Sequence, residues 1–89
     1  MANVRNLKKD INYVLGDIIE AVYFWEYENT DKDTKKSEAI IDDAITTFDE
    51  LMAKVNAKDV ENKKKHFNAI KAELEERGRG LIERINKLK

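Results

Sequence analysis

Apolar residues recur every three or four positions along almost the whole chain, and only two short polar stretches interrupt them. Side chains at that spacing stack on one face of a helix, whereas a half-buried strand would need strict alternation. No alternating segment occurs, and no proline breaks the periodicity. The first stripe is Val4, Leu7, Ile11, Val14, Leu15, Ile18, Val22 and Trp25. The second is Ile41, Ala44, Ile45, Phe48, Leu51, Met52 and Val55, and the third is Val60, Phe67, Ile70, Leu74, Leu81, Ile85 and Leu88.

The breaks fall at Asn29-Thr30-Asp31 and at Asn56-Ala57-Lys58-Asp59. Short polar side chains there offer the backbone local hydrogen bonds that compete with a helix. Thr30 with Asp33 three residues on reads as a capping box with Asp in place of Glu, which starts the second helix near Asp31, with Ser37 as a rival start. Asp59 is a good N-cap for the third. The spacing thus predicts helices over about 3–28, 31–56 and 60–88. Joined by short turns, they must run up, down and up. The expected fold is an all-α, antiparallel three-helix bundle, one domain over residues 1–89.

Charge is consistent with that arrangement. Residues 1–57 hold 7 basic and 12 acidic side chains, net −5, and residues 58–89 hold 10 and 6, net +4. A basic third helix against two acidic ones is favourable, although surface pairs are worth only about 0–1 kcal/mol each. Gly78 and Gly80 interrupt the third stripe at a cost of about 1 kcal/mol each relative to alanine. Leu74, Leu81, Ile85 and Leu88 keep one phase across them, so a continuous helix is expected, bent or straight. With the first and third helices parallel, Trp25 falls level with residues about 21 beyond Val60. Its indole, with Phe24 beside it, is the expected filler of the notch at Gly78.

The same residues exclude several functions. With no cysteine there is no disulfide scaffold, thiolate metal site or thiol nucleophile. The longest apolar run, Ala21 to Trp25, is far short of the ~20 residues that cross a bilayer. The charged N-terminal segment does not read as a signal peptide, so a cytoplasmic protein is expected. Ser37 and His66, the only serine and histidine, fall at opposite ends of the bundle. No Glu-x-x-His motif supports a di-iron site, and Gly78-Arg79-Gly80 lacks the strand and spacing of a phosphate loop. Asp42-Asp43, Glu73 and Glu75-Glu76 read as solvated helix faces. The expectation is a non-enzyme with no catalytic residue, metal, cofactor or small-molecule substrate.

Two surfaces remain. Lys63, Lys64 and Lys65, followed by His66, open the third helix near Arg5, Lys8, Lys9, Lys54 and Lys58 and could contact phosphates by charge alone. Asp10, Asp49, Glu50, Asp59 and Glu61 at the same level oppose this, and both charge signs on the polar faces argue against a membrane surface. The stronger signal is Tyr23-Phe24-Trp25-Glu26-Tyr27, four aromatics in five residues, which cannot all face one core at about 100° per residue. If Val22 and Trp25 point inward, Tyr23 points out, and Tyr13, Gly16, Ile19, Tyr23 and Tyr27 form a second stripe. Tyrosine suits interfaces because it buries area at low rotamer cost and keeps a hydroxyl. An outward Gly16 costs stability unless a close backbone repays it. The competing interpretation is an ordinary surface, in which the rings merely wrap the end of the bundle.

Asn3 to Ile11, Ile18 to Val22, and Val55-Asn56-Ala57-Lys58 resemble short helical proteins of the Bacteroidetes with no assigned activity. The resemblance implies a bacterial cytoplasmic setting and carries over no functional residue. The expected function is a protein–protein interaction or self-association module, homodimer included, with Gly16, Ile19, Tyr23 and Tyr27 as the docking residues. The alternative is weak nucleic-acid binding through Lys63, Lys64 and Lys65.

Overall fold

The computed structural model describes residues 4–57 and 60–88. It contains α1 (Val4–Glu28), α2 (Lys35–Val55) and α3 (Lys63–Asn86), each packed on the other two in a rod of 51 × 18 × 17 Å. No strand occurs among the described residues. The expected three-helix bundle is therefore what forms. Its axis is filled by Ile11, Leu15, Val22, Ile40, Leu51 and Ile70, all essentially inaccessible to water. Burying each such side chain contributes roughly 1.5–3 kcal/mol, which no helix of this length could supply alone in water.

Both turns are longer than the sequence suggests. Asn29 ends α1: its backbone N–H and its side-chain amide both donate to the Trp25 carbonyl, at 3.0 and 2.8 Å. Lys32 N–H then donates to the Asn29 carbonyl in a turn, so no helix starts at Asp31. The expected Thr30–Asp33 capping box is replaced by Asp33 Oδ1, which accepts from the Lys35 N–H at 2.9 Å and starts α2 there. Ser37 lies inside that first turn and is buried. At the other end the cap is Asn62, whose side chain accepts from the Lys65 N–H at 3.0 Å. Asp59, the expected cap, lies outside the described residues, and Val60 precedes α3 instead of opening it.

The register of α3 on α1 also differs from the expected one. An added Cβ on Gly78 would sit 3.2 Å from Val14 Cγ1 and 3.9 Å from Ile18 Cδ1, so the notch is filled by Val14 and Ile18. Trp25 does not reach it. The indole instead lines a recess with Lys32, Asp33, Lys36, Lys87 and Leu88, where α3 ends. Both markers give nearly the same offset, since Gly78 lies 62 positions beyond the midpoint of Val14 and Ile18, and Lys87 and Leu88 lie 62 and 63 beyond Trp25. The expected offset, Val4 against Val60, is 56. The difference moves α3 by roughly 9 Å along the axis at 1.5 Å per residue. α3 does run unbroken through Gly78 and Gly80.

α2 is also rotated from expectation. Ile40 and Thr47 are buried, Phe48 and Met52 are half-buried, and Ile45 is 47% exposed. Two buried hydroxyls explain how polar groups enter the core. Thr47 Oγ1 donates to the Asp43 carbonyl one turn back, at 2.7 Å. Ser37 Oγ lies 2.5 Å from Glu26 Oε2 and 2.9 Å from the Thr34 carbonyl, and its one proton serves the charged acceptor best. This bond ties the start of α2 to the end of α1.

Candidate functional site

The chemistry-bearing residues are dispersed. His66 Nε2 lies 2.7 Å from the Lys54 carbonyl, which can only accept, so this nitrogen carries the proton. Ser37 is engaged with Glu26. Lys54 follows Ser37 by 17 positions in α2, which separates the two groups by roughly 25 Å. No group of acidic, histidine or cysteine side chains that could hold a metal occurs among the described residues. No described helix is long and apolar enough to cross a membrane.

Carboxylates and cations meet instead along the α2–α3 seam. Lys54 Nζ lies 2.5 Å from Glu73 Oε1, Arg77 Nη1 lies 2.7 Å from Glu50 Oε2 and 3.0 Å from Glu73 Oε2, and Arg84 pairs with Asp43. The Lys54 hydrogen bond, aided by Arg77 against partial desolvation, holds the Glu73 carboxyl below its ordinary value. Glu50 and then Glu73 raise the Arg77 guanidinium above its own, again against desolvation. The shared acid links both cations, so these charges clamp two helices together.

The basic end is less concentrated than expected. Lys63, Lys64 and Lys65 are exposed in the first turn of α3. The shift of α3 places them just beyond the Val4 end of α1, so Lys8 and Lys9 stand roughly 9 Å further along the rod. Lys54 is engaged with Glu73, and Lys58 lies outside the described residues.

The outer face of α1 is different in kind. Tyr13, Tyr23, Phe24 and Tyr27 are 61, 55, 63 and 81% exposed, and they include every tyrosine of the chain. Asp17, Glu20, Ala21, Tyr23, Phe24 and Tyr27 line a shallow groove along the helix. Of the expected docking residues, Tyr23 and Tyr27 stand outward as the spacing implies. Ile19 is half-buried and packs against the core, so it borders the face and does not stand on it. Gly16 is partly exposed, and a Cβ there would meet nothing within 4 Å. Phe24, expected beside Gly78, belongs to this face.

Exposed Ile45 extends the apolar area onto α2. Counting seven residues along each helix from the Glu26–Ser37 bond brings Ile19 level with Ala44, hence beside Ile45 in height. Asp43 and Glu50 mark the edge of α2 that faces α3, and Ile45, 200° around from Asp43, takes the opposite edge beside α1.

A charge pattern that the apolar spacing does not contain accompanies the rings. Between Lys9 and Lys32 the chain has no lysine or arginine, but it has Asp10, Asp17, Glu20, Glu26, Glu28 and Asp31. Glu26 is engaged with Ser37; Asp17 and Glu20 stand among the exposed aromatics. The last turn of α1 holds Glu26 and Glu28 and no cation, which opposes the helix dipole and costs roughly 0.3–1 kcal/mol per charge.

The class defined by fold and surface is a small helical bundle with an acidic, aromatic face that none of the described residues covers. No protein-family model matches the chain, and no curated protein sequence or solved structure is significantly similar to it.

Proposed function

We propose that this chain is a non-enzymatic docking module that binds another protein through the outer face of α1. The observation that carries the reading is four exposed aromatic rings on one helix face, whereas the other exposed large apolar side chains, Val4, Ile45 and Ile82, fall one to a helix. Isolated exposed apolar residues are ordinary, but a contiguous group on one face marks an interaction surface. Gly16 supports it. In mid-helix it costs about 1 kcal/mol against alanine, and no described residue comes within 4 Å of the Cβ position it leaves open. The resemblance at Asn3 to Ile11 would set this activity in a bacterial cytoplasm.

A photo-crosslinking residue placed at Tyr23, compared with one at the exposed Glu76 of α3, tests the proposal in the native host. Discrete protein adducts from position 23 and none from position 76 are expected. Identical patterns, or no adduct from 23, would remove the docking reading. Nucleic-acid binding at Lys63, Lys64 and Lys65 is the weaker alternative, since Lys8 and Lys9 stand roughly 9 Å from that turn along the rod and Lys54 is engaged with Glu73. Retention of nucleic acid on a filter at low salt, where charge attraction is strongest, would revive it.

A further inference from the structure

If the outer face of α1 docks a protein, as proposed above, its charges also select the occupant. We infer that the face receives a basic amphipathic helix from a second protein, one whose lysines or arginines flank a single apolar stripe. The stripe from Tyr13 to Tyr27 runs roughly 21 Å and repeats every three or four residues, the length and period of about four helical turns. Asp17 and Glu20 lie between its rings, and the nearest cations in sequence are Lys9 and Lys32. An incoming cation therefore meets carboxylates of one sign with no internal competitor on that stretch of chain. The open space at Gly16 lets a partner's backbone approach closely at one end of the stripe.

A second copy of the chain fits less well. A parallel two-fold contact opposes each residue to itself, setting Asp17 on Asp17 and Glu20 on Glu20. An antiparallel contact that overlaps all the rings is centred midway between Tyr13 and Tyr27, which is Glu20, and again opposes that carboxylate to its copy. Like charges brought together in an interface disfavour association, whereas a basic helix turns the same carboxylates into attractive contacts. The acidic end of α1, unfavourable for the isolated helix, then becomes useful in the complex.

The test titrates the full chain with two amphipathic helical peptides of about 18 residues, one of leucine and lysine and one of leucine and glutamate, followed by amide NMR shifts. The leucine–lysine peptide is expected to move amides over residues 13–27, and the leucine–glutamate peptide is not. Substituting Asp17→Lys with Glu20→Lys should weaken the lysine peptide about tenfold or more, with Asp17→Asn/Glu20→Gln intermediate and circular dichroism unchanged in both. Raising salt from about 0.1 M to about 1 M, which shortens the screening length from about 10 Å to about 3 Å, should weaken it as well.

Equal binding of both peptides, or binding indifferent to the substitutions and to salt, would overturn the charge selection and leave docking intact. Sedimentation equilibrium showing a dimer that Tyr23→Ser/Tyr27→Ser abolishes would replace the basic helix with a second copy. Unmoved amides over 13–27 would also defeat the inference. Together with no crosslinks from Tyr23, that result would defeat the docking reading too.

Discussion

The α2–α3 seam and the outer face of α1 are both charged surfaces, yet they use charge in opposite ways. Along the seam, Lys54, Arg77 and Arg84 each meet a carboxylate from the neighbouring helix, and Glu73 serves two of them. Along α1, Asp17 and Glu20 sit among exposed rings in a stretch without a cation. A pair formed inside the chain is worth little, but it neutralises both members and leaves that surface with little to offer a partner. A row of one sign keeps its field for an outside ligand. Abundance of charge therefore says less about function than whether the chain already supplies the opposite sign.

The largest expected effect separates the two faces of α1. Ile11→Ala should cost about 2–5 kcal/mol, since it empties a site with no exposure, while Tyr27→Ala should change stability by about 0.5 kcal/mol or less. Chemical denaturation measures both. A costly Tyr27→Ala would mean the ring supports the bundle, and the comparison with the seam would fail.

Glycines offer a finer probe. Gly16→Ala and Gly80→Ala should each stabilise the protein by up to about 1 kcal/mol, because their added methyl groups meet nothing. Gly78→Ala should gain less, as Val14 Cγ1 must yield, and Gly78→Leu should lose about 1–3 kcal/mol by overpacking. If a partner's backbone approaches Gly16, the stabilised Gly16→Ala protein should bind it more weakly. A gain in stability with unchanged binding would place the contact elsewhere on α1.

Smaller changes are expected at the seam. A double-mutant cycle on Asp43→Ala and Arg84→Ala should give about 0.2–1 kcal/mol of coupling, reduced by salt. A coupling near zero would mean the seam is neutral and α2 and α3 are joined by apolar packing alone. The pH dependence should be slight but has a definite sign. Glu73 has a lowered folded-state value, so its stabilisation is complete above the unfolded value of about 4.3 and is lost as pH falls through the folded one. Glu73→Gln should therefore be less stable than the parent at neutral pH, and the difference should shrink in acid. A difference that persists in acid would point to lost shape, not lost charge.

Much of the architecture was legible because its cause is local. The three-to-four spacing of Leu7, Ile11, Leu15, Ile18 and Val22 allows one helix with one buried face, and three such stripes in 89 residues leave few alternatives to a bundle. The continuity of α3 through Gly78 was legible for the same reason, since Leu74 and Leu81 share a phase. Tyr23 and Tyr27 could be read as outward because Val22 and Trp25 occupy the inward angle. The acidic stretch between Lys9 and Lys32 was equally visible in the sequence, but it lies in the polar positions that the apolar spacing leaves out.

Other features depended on contacts between segments. Where α3 settles along α1 depends on how the two helices pack, and its observed register lies roughly 9 Å from the one the spacing suggests. That shift decides that Val14 and Ile18, not Trp25, fill Gly78, and it separates Lys63–Lys65 from Lys8 and Lys9. Ile45 and Ile40 are identical in kind, and only the orientation of α2 between two neighbours makes one exposed and the other buried. The sequence alone determined which residues repeat on a helix face, because 3.6 residues per turn is a property of the backbone. Only the tertiary structure decided which faces meet, since register and rotation minimise the exposed area of all three helices together and belong to none of them singly.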